Sequence, residues 1–328
     1  MVCRICMNAV IENAVNVKEM MFGTGKLYPY YKCSFCGCMQ IEEPENNPDN
    51  LYPSSYYSFN TYKTPGIIEK IKRMVVRYSV AESLGYKSIL NYLFAKKQRD
   101  CGGHALKGRC AKNAVLLDVG CGDGSLIDAL NWFGFTNLTG IDPYLNSDVI
   151  KTNYQLLKKG IEEFEGSAVF DVIMLHHSFE HVENPLEVLK NVKRLLKKGG
   201  FCIIRIPVSD SYAFNFYKEN WVQLDAPRHV FLHTNKSMEI ATQKSNLRIV
   251  SIVDDSMEFQ FVGSEQYKNG IPLNDPRSYY ISPLKKLFFN KKHIFSAEDI
   301  DKFKRESDTL NSEGKGDQRI YYIQHADS

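Results

Sequence analysis

Cys3-x-x-Cys6 and Cys33-x-x-Cys36 put four thiols in two pairs separated by 26 residues, and five of the nine cysteines fall within the first 38 residues. Thiolates in such pairs suit one closed, tetrahedral zinc site, because each short turn aims two sulfurs at a common point. Gly37 follows the second pair and fits the tight turn this requires. Cys38 adds a fifth thiol at a spacing less usual for a ligand and reads as a bystander. A redox C-x-x-C is the competing chemistry, but two pairs fit a metal better. The zinc ligands read from the sequence are therefore Cys3, Cys6, Cys33 and Cys36.

A second group lies in Val115-Leu116-Leu117-Asp118-Val119-Gly120-Cys121-Gly122-Asp123-Gly124-Ser125. An apolar run ends in a glycine turn that lets a ligand approach the backbone closely. Dinucleotide folds prefer G-x-G-x-x-G with a pyrophosphate at the helix start. Here Gly120, Gly122 and Gly124 form G-x-G-x-G, and Asp118 stands two residues ahead of them. Carboxylates suit S-adenosylmethionine (SAM), which carries an ammonium and a sulfonium and no phosphate. Gly140-Ile141-Asp142 places another acid at a strand end, 18 residues after Gly124, where it can accept both ribose hydroxyls.

The third group is His176-His177-Ser178-Phe179-Glu180-His181. A histidine titrates near neutrality, and a neighbouring carboxylate raises its basicity, so Glu180 and His181 are candidates to take a proton from a methyl acceptor. His177-x-x-Glu180-His181 also matches an inverted zinc-protease pattern, which offers a metal instead. Downstream, Arg228 could hold a phosphate or carboxylate, His229 is a second candidate base, and Tyr217 and Trp221 could wall an acceptor. Cys101, His104 and Cys110 are a partial metal set best read as part of a loop.

These groups need elements to position them. Ile67, Ile71, Met74 and Val75 mark an amphipathic helix, and Ser88 to Lys97 a second. Val115 to Val119, Leu138 to Ile141, Phe170 to Leu175 and Phe201 to Ile206 read as buried strands. Asn184-Pro185-Leu186-Glu187 reads as a capped helix start, with the helix running to about Lys198 and stopping at Gly199-Gly200. Alternating strands and helices predict a mostly parallel α/β sheet covered on both faces. Residues 41–65 are rich in Pro, Asn, Ser and Tyr and read as a linker, in which Tyr56 and Tyr57 could close the site mouth.

Composition narrows the field. With 41 basic and 38 acidic residues the charge is nearly balanced, which argues against a nucleic-acid partner. The lysines of 285–304 read as a solvated face. No apolar run approaches the roughly 20 residues of a membrane span, and Met1-Val2-Cys3-Arg4 does not open a signal peptide, so the expected location is the cytoplasm.

The stretches Leu117 to Gly124, Gly140 to Asp142, Phe170 to Ile173, Phe179 to Pro185 and Lys197 to Gly200 together resemble the class I SAM-dependent methyltransferases. That resemblance implies a Rossmann-like seven-stranded sheet with helices on both faces and an antiparallel last strand, here Arg319 to Gln324. It implies that the glycine turn holds the methionine part of SAM and Asp142 the ribose. The adenine would lie near Ile161, and His176 would border methyl transfer. The paired cysteines ahead of such a domain resemble the N-terminal zinc segment of sugar C-methyltransferases, of which this chain looks like a shorter relative. Those enzymes carry a Tyr-x-Glu-His cluster where this chain has Ser178, Glu180 and His181. Ubiquinone-pathway O-methyltransferases similarly place Glu-x-x-Glu-His here for a divalent cation.

The expected organisation is a zinc ribbon over 1–40, a linker over 41–65 and a methyltransferase domain over 66–328, with a lid insertion at about 208–234. The expected activity is methyl transfer from SAM to a small polar acceptor such as a sugar or nucleotide sugar. Asp118, Gly120, Gly122, Gly124, Asp142, Ile161 and His176 would serve the cofactor, and Glu180, His181 and His229 the acceptor. An RNA methyltransferase using its zinc module for recognition, and a non-catalytic zinc-containing binding module, are the alternatives.

Overall fold

The computed structural model describes residues 2–8, 14–45, 51, 67–86, 102–281 and 292–327. The expected helix Ser88 to Lys97, together with Cys101, Tyr56, Tyr57 and Lys285, lies outside the described residues.

Near the N-terminus, β1 (Val15–Lys18), β2 (Leu27–Lys32) and β3 (Met39–Ile41) form an antiparallel ladder. The larger sheet contains β4 (Val115–Val119), β5 (Asn137–Ile141), β6 (Val149–Ile150), β7 (Tyr154–Leu157), β8 (Phe170–His176) and β9 (Leu196–Pro207). After β10 (Phe231–Leu232) come β11 (Leu247–Asp254) and β12 (Gln318–His325). Its order is β11-β12-β9-β8-β4-β5-β7-β6. Seven strands follow the expected pattern, with β12 antiparallel to both its neighbours, and the two-residue β6 folds back on β7 as an eighth at the edge.

Strand periodicity decides which side chains face which layer. Leu117, Ile173 and Leu175 join one core with Leu189 and Val192 of α3 (Pro185–Leu195) and Met238 and Ala241 of α5 (Asn235–Lys244). Leu116, Val172 and Met174 face the other way. They pack on Val80 of α1 (Ile67–Ser83) and on Ile127 and Leu130 of α2 (Ser125–Trp132). Both faces of β4 and β8 are thus covered, which is why these strands are mostly apolar, broken only by Asp118 in β4 and by Asp171 and His176 in β8.

The sequence misplaced one boundary. Helix α3 ends at Leu195, not Lys198, because Leu196 already pairs with Phe170. The register then jumps to Val172↔Phe201, so Lys197 to Gly200 bulge out of β9, and Lys197 Nζ reaches Asp171 Oδ1 at 2.9 Å. Asn184 makes no side-chain cap, and Glu187 pairs with Lys190 instead.

Between β9 and α5 the chain makes an insertion over residues 208–234. It holds α4 (Tyr212–Tyr217), two 3-10 turns (Lys218–Asn220 and Val222–Leu224) and β10. Strand β10 pairs antiparallel with β3, so the insertion supplies the fourth strand of the N-terminal sheet. Beyond β11, α6 (Phe259–Lys268) and α7 (Ala297–Ser312) pack through Phe261 and Phe303, stacked at 5.3 Å. Among the described residues, no helix is long and apolar enough to cross a membrane.

Candidate active site

The glycine turn follows β4 directly. Gly120, Gly122 and Gly124 all have positive φ, at 75°, 52° and 73°. At Gly120 a Cβ would lie 2.5 Å from Ser178 Cβ, so this turn tolerates neither the torsion nor the bulk of another residue. The amides of Gly120 and Cys121 donate to the Ile141 carbonyl at 2.8 and 3.1 Å. Asp142 completes the join: Oδ2 accepts from the Gly122 amide (3.0 Å) and Oδ1 from the Tyr144 amide (2.9 Å).

Asp118 and Asp142 are both buried, and both line a cavity of about 1860 Å³. Burial, with the charge of Asp142 added, pushes the Asp118 carboxyl up to about 7. Burial also raises that of Asp142, against the pull of the Tyr144 and Gly122 amides. Two acids crowded in one wall favour a cationic ligand. Ile161 opens a short 3-10 turn (Ile161–Glu163) on the same cavity, and His176 lies on its wall, packed under Gly102.

The cavity extends to the third group. Glu180 is fully buried, and His181 and His229 meet edge to face at 4.9 Å between ring centres. His181 Nδ1 lies 2.8 Å from the Arg228 carbonyl, and His229 Nδ1 lies 2.7 Å from the Gln223 carbonyl. A carbonyl only accepts, so both Nδ1 atoms carry a proton, and the lowered basicity of His229 leaves its Nε2 as an acceptor. His229 Nε2 stands 3.9 Å from Glu180 Oε1. The three ligand atoms lie within 4.8 Å of one another, so acceptors converge there on a space suited to a donor or a cation. Burial, and then His181, lower His229 to about 4. Burial opposes ionisation of Glu180, but His177, His181 and His229 outweigh it and hold the carboxyl down to about 2.

His177 does not join this group as a ligand. Arg205 Nη1 donates to its Nε2 at 2.7 Å, which leaves Nδ1–H directed at Glu180 Oε1, 3.4 Å away. Arg205 is held in turn by Asp255 at 2.5 Å, and Asp255 also takes His104 at 3.1 Å. Ser178 spends its hydroxyl on the Val119 carbonyl at 2.7 Å and packs on Gly120, so it does not stand in for a tyrosine at the acceptor.

Other residues proposed for the acceptor have different partners. Trp221 is fully buried and donates to Asp317 at 2.9 Å, and Tyr217 donates to Glu265 at 3.0 Å; both are core of the insertion rather than cavity wall. Arg228 lines the cavity but is clasped by Asp225 (2.6 Å) and Glu19 (3.1 Å). With two carboxylates around one guanidinium, it offers little to an anion.

At the N-terminus the sulfurs of Cys3 and Cys36 lie 3.6 Å apart and those of Cys6 and Cys33 3.5 Å apart, with all four within 4.8 Å. Four thiols on a tetrahedral zinc with bonds of about 2.3 Å would be separated by about 3.8 Å, so the donor set and spacing fit that ion. The two turns have one design. In each, the first cysteine's amide donates to the carbonyl five residues on (Asn8, Cys38; 2.9 Å both), and its carbonyl accepts from the residue after the second cysteine. That residue takes positive φ in both, 67° at Met7 and 74° at Gly37. Cys38 is buried outside the set and directs its thiol at the Met39 carbonyl.

Glu19, Tyr30, Arg205 and Asp255 border the site without having been singled out in the sequence. Each reaches it across a long separation that no local motif announces.

A Rossmann-like sheet with a G-x-G-x-G turn, buried acids at two strand ends and a covered cavity is the architecture of a SAM-dependent methyltransferase. A family model for a methyltransferase domain matches residues 88–252, half of the chain, and the chain belongs to that family. The ubiquinone biosynthesis O-methyltransferase of Rickettsia bellii is 38% identical over 99 residues, covering 27% of this chain and 40% of that protein. That of Rickettsia typhi is 30% identical over 151 residues, covering 41% and 60%. The chain thus spans about two-fifths to three-fifths of these relatives' length. Among solved structures, an S-adenosylmethionine-dependent methyltransferase from Mesorhizobium loti shares 12% identity with a TM-score of 0.42, covering 68% of this chain and 96% of the other.

Proposed function

We propose that this protein transfers a methyl group from SAM to the hydroxyl of a small polar acceptor lodged against Glu180, His181 and His229. The observation that carries this reading is that the Asp118–Asp142 wall and the histidine group open on one cavity. The cofactor supplies an electrophilic methyl group on sulfur. The glycine turn and Asp118 would hold its methionine portion, Asp142 its ribose and Ile161 its adenine, with His176 beside the methyl group.

On the acceptor side, His181 Nε2 would take the proton, and Glu180 would stabilise the imidazolium that results. His229, with its basicity lowered, serves better as a hydrogen-bond acceptor that orients the substrate. The relatives' names support an oxygen acceptor, and the paired cysteines and Glu-His pair support a sugar or nucleotide sugar. Because Arg228 is already neutralised, a phosphate on the acceptor would have to be met elsewhere. Residues 1–40 act as a zinc ribbon, 41–65 as a linker and 66–328 as the methyltransferase domain.

The test is transfer of radiolabelled methyl from SAM to panels of sugar nucleotides, free sugars and phenols. Labelling of one hydroxyl class, reduced at least 100-fold in Glu180→Gln, supports the reading. Failure of the purified protein to bind SAM overturns it.

A further inference from the structure

The segment Arg228 to Leu232 lies between two parts of the chain. On one side, the Val230 amide donates to the Glu180 carbonyl at 2.8 Å, and the Arg228 carbonyl fixes the His181 ring. On the other, a set of contacts comes from the cysteine-bearing N-terminus. The buried Tyr30 hydroxyl donates to the His229 carbonyl at 2.7 Å, and the Ile41 amide donates to the Val230 carbonyl at 3.0 Å. Phe231 and Leu232 pair with Gln40 and Met39, and the Thr234 hydroxyl donates to the carbonyl of Cys36, one of the four clustered cysteines.

Glu19 makes the deepest of these contacts. It sits at the base of the turn between β1 and β2 and is itself buried. Its Oε1 accepts from the Phe22 amide (2.9 Å) and its Oε2 from the Thr24 amide (2.9 Å), so the carboxylate is fixed before it meets Arg228 Nη2. The Phe22 ring lies beneath the guanidinium, 5.2 Å from it. The same turn is tied to Leu273 and Asn274, whose amides donate to the carbonyls of Met20 and Met21 at 3.0 and 2.9 Å, and Met21 faces the cavity.

We infer that Glu19 and Tyr30 are positioning residues of the acceptor site, and that through Arg228 and the His229 carbonyl they fix the imidazoles of His181 and His229. The cysteine module is then a clamp on the acceptor half of the cavity, and its metal holds that clamp together. This rests on the reading that the histidine pair meets the acceptor. The cofactor half is built without the module: Asp118, the glycine turn and Asp142 belong wholly to the large sheet and its loops.

The experiment is nitrogen-15 NMR of histidine-labelled protein at pH 7, which reports the ring nitrogen that carries each proton. In the wild type, His181 and His229 should each carry a proton on Nδ1, held on the Arg228 and Gln223 carbonyls. Glu19→Gln should shift or split the His181 signal and Tyr30→Phe that of His229. His325, bonded to Leu196 across the molecule, should not move. Both variants should keep their zinc and bind SAM within about twofold of wild type. Unchanged His181 and His229 signals in both folded variants would overturn the inference. If a variant does not fold, the same spectra of the wild type before and after chelation decide: movement of the site histidines with SAM affinity retained supports the clamp, and no movement refutes it. SAM titration of the same samples keeps the two readings apart, since loss of SAM binding in the wild type would sink the methyltransferase reading alone.

Discussion

Asp142 accepts a hydrogen bond from the Gly122 amide at 3.0 Å, which joins the end of β5 to the turn after β4. Two motifs 18 residues apart are therefore one structural unit, and a change in either should be felt by both.

Gly120→Ala should be damaging. Its Cβ would meet Ser178 at 2.5 Å in a backbone conformation that alanine rarely adopts. A cost of about 1–3 kcal/mol in denaturant unfolding is expected, with loss of SAM binding. Unfolding and binding both unchanged would show that the turn does not hold this conformation.

SAM affinity should depend on pH through Asp118. Its carboxyl is pushed up to about 7, and an ammonium ligand needs it ionised. Affinity should rise about tenfold per unit as pH climbs from 5 towards 7 and level off above. The ligand-free protein should do the reverse. A folded value raised above the ordinary 3.8 means that the contribution of Asp118 to stability is greatest below about pH 4 and falls by a few kcal/mol as pH rises towards 7. Asp118→Asn should flatten both curves, as calorimetry and thermal unfolding across that range would register.

Zinc should be present at about one ion per chain in protein purified without chelators. Cys33→Ser should lower that content well below one and expose the remaining thiols of the set to a thiol reagent. Full metal content in this variant would mean that the four cysteines are not its ligands.

Arg205→Met should destabilise the fold by about 3 kcal/mol, because it leaves Asp255 buried without its cation. Adding Asp255→Asn should restore part of that loss in a double-mutant cycle. Simple additivity would show that the pair is not coupled.

The sequence made the large sheet legible where side-chain period and buried length agree. Val115–Val119 was read to the residue, and Phe170 and Asn137 begin strands within a residue of the positions expected, while the last strand, starting at Gln318, was placed by the resemblance to methyltransferases. The α3 boundary failed because helical periodicity continues through Lys197 and Lys198, while strand pairing at Leu196 is a long-range decision. The paired cysteines were legible because their spacing is local. The clamp was not, since Tyr30 and His229 stand 199 residues apart and Glu19 and Arg228 209 apart, and neither Tyr30 nor Glu19 lies in a motif. The sequence left open whether Trp221 and Tyr217 wall the cavity or pack in the core, because an aromatic in either place looks alike there, and both are buried.

Calorimetric titration of SAM into wild-type protein and Asp142→Ala tests the central claim most directly. The account predicts micromolar binding by the wild type and a loss of about two orders of magnitude in the variant, as expected for losing charge-assisted bonds to the ribose. A folded wild type that gives no heat with SAM, or a variant that binds it equally well, would contradict the account.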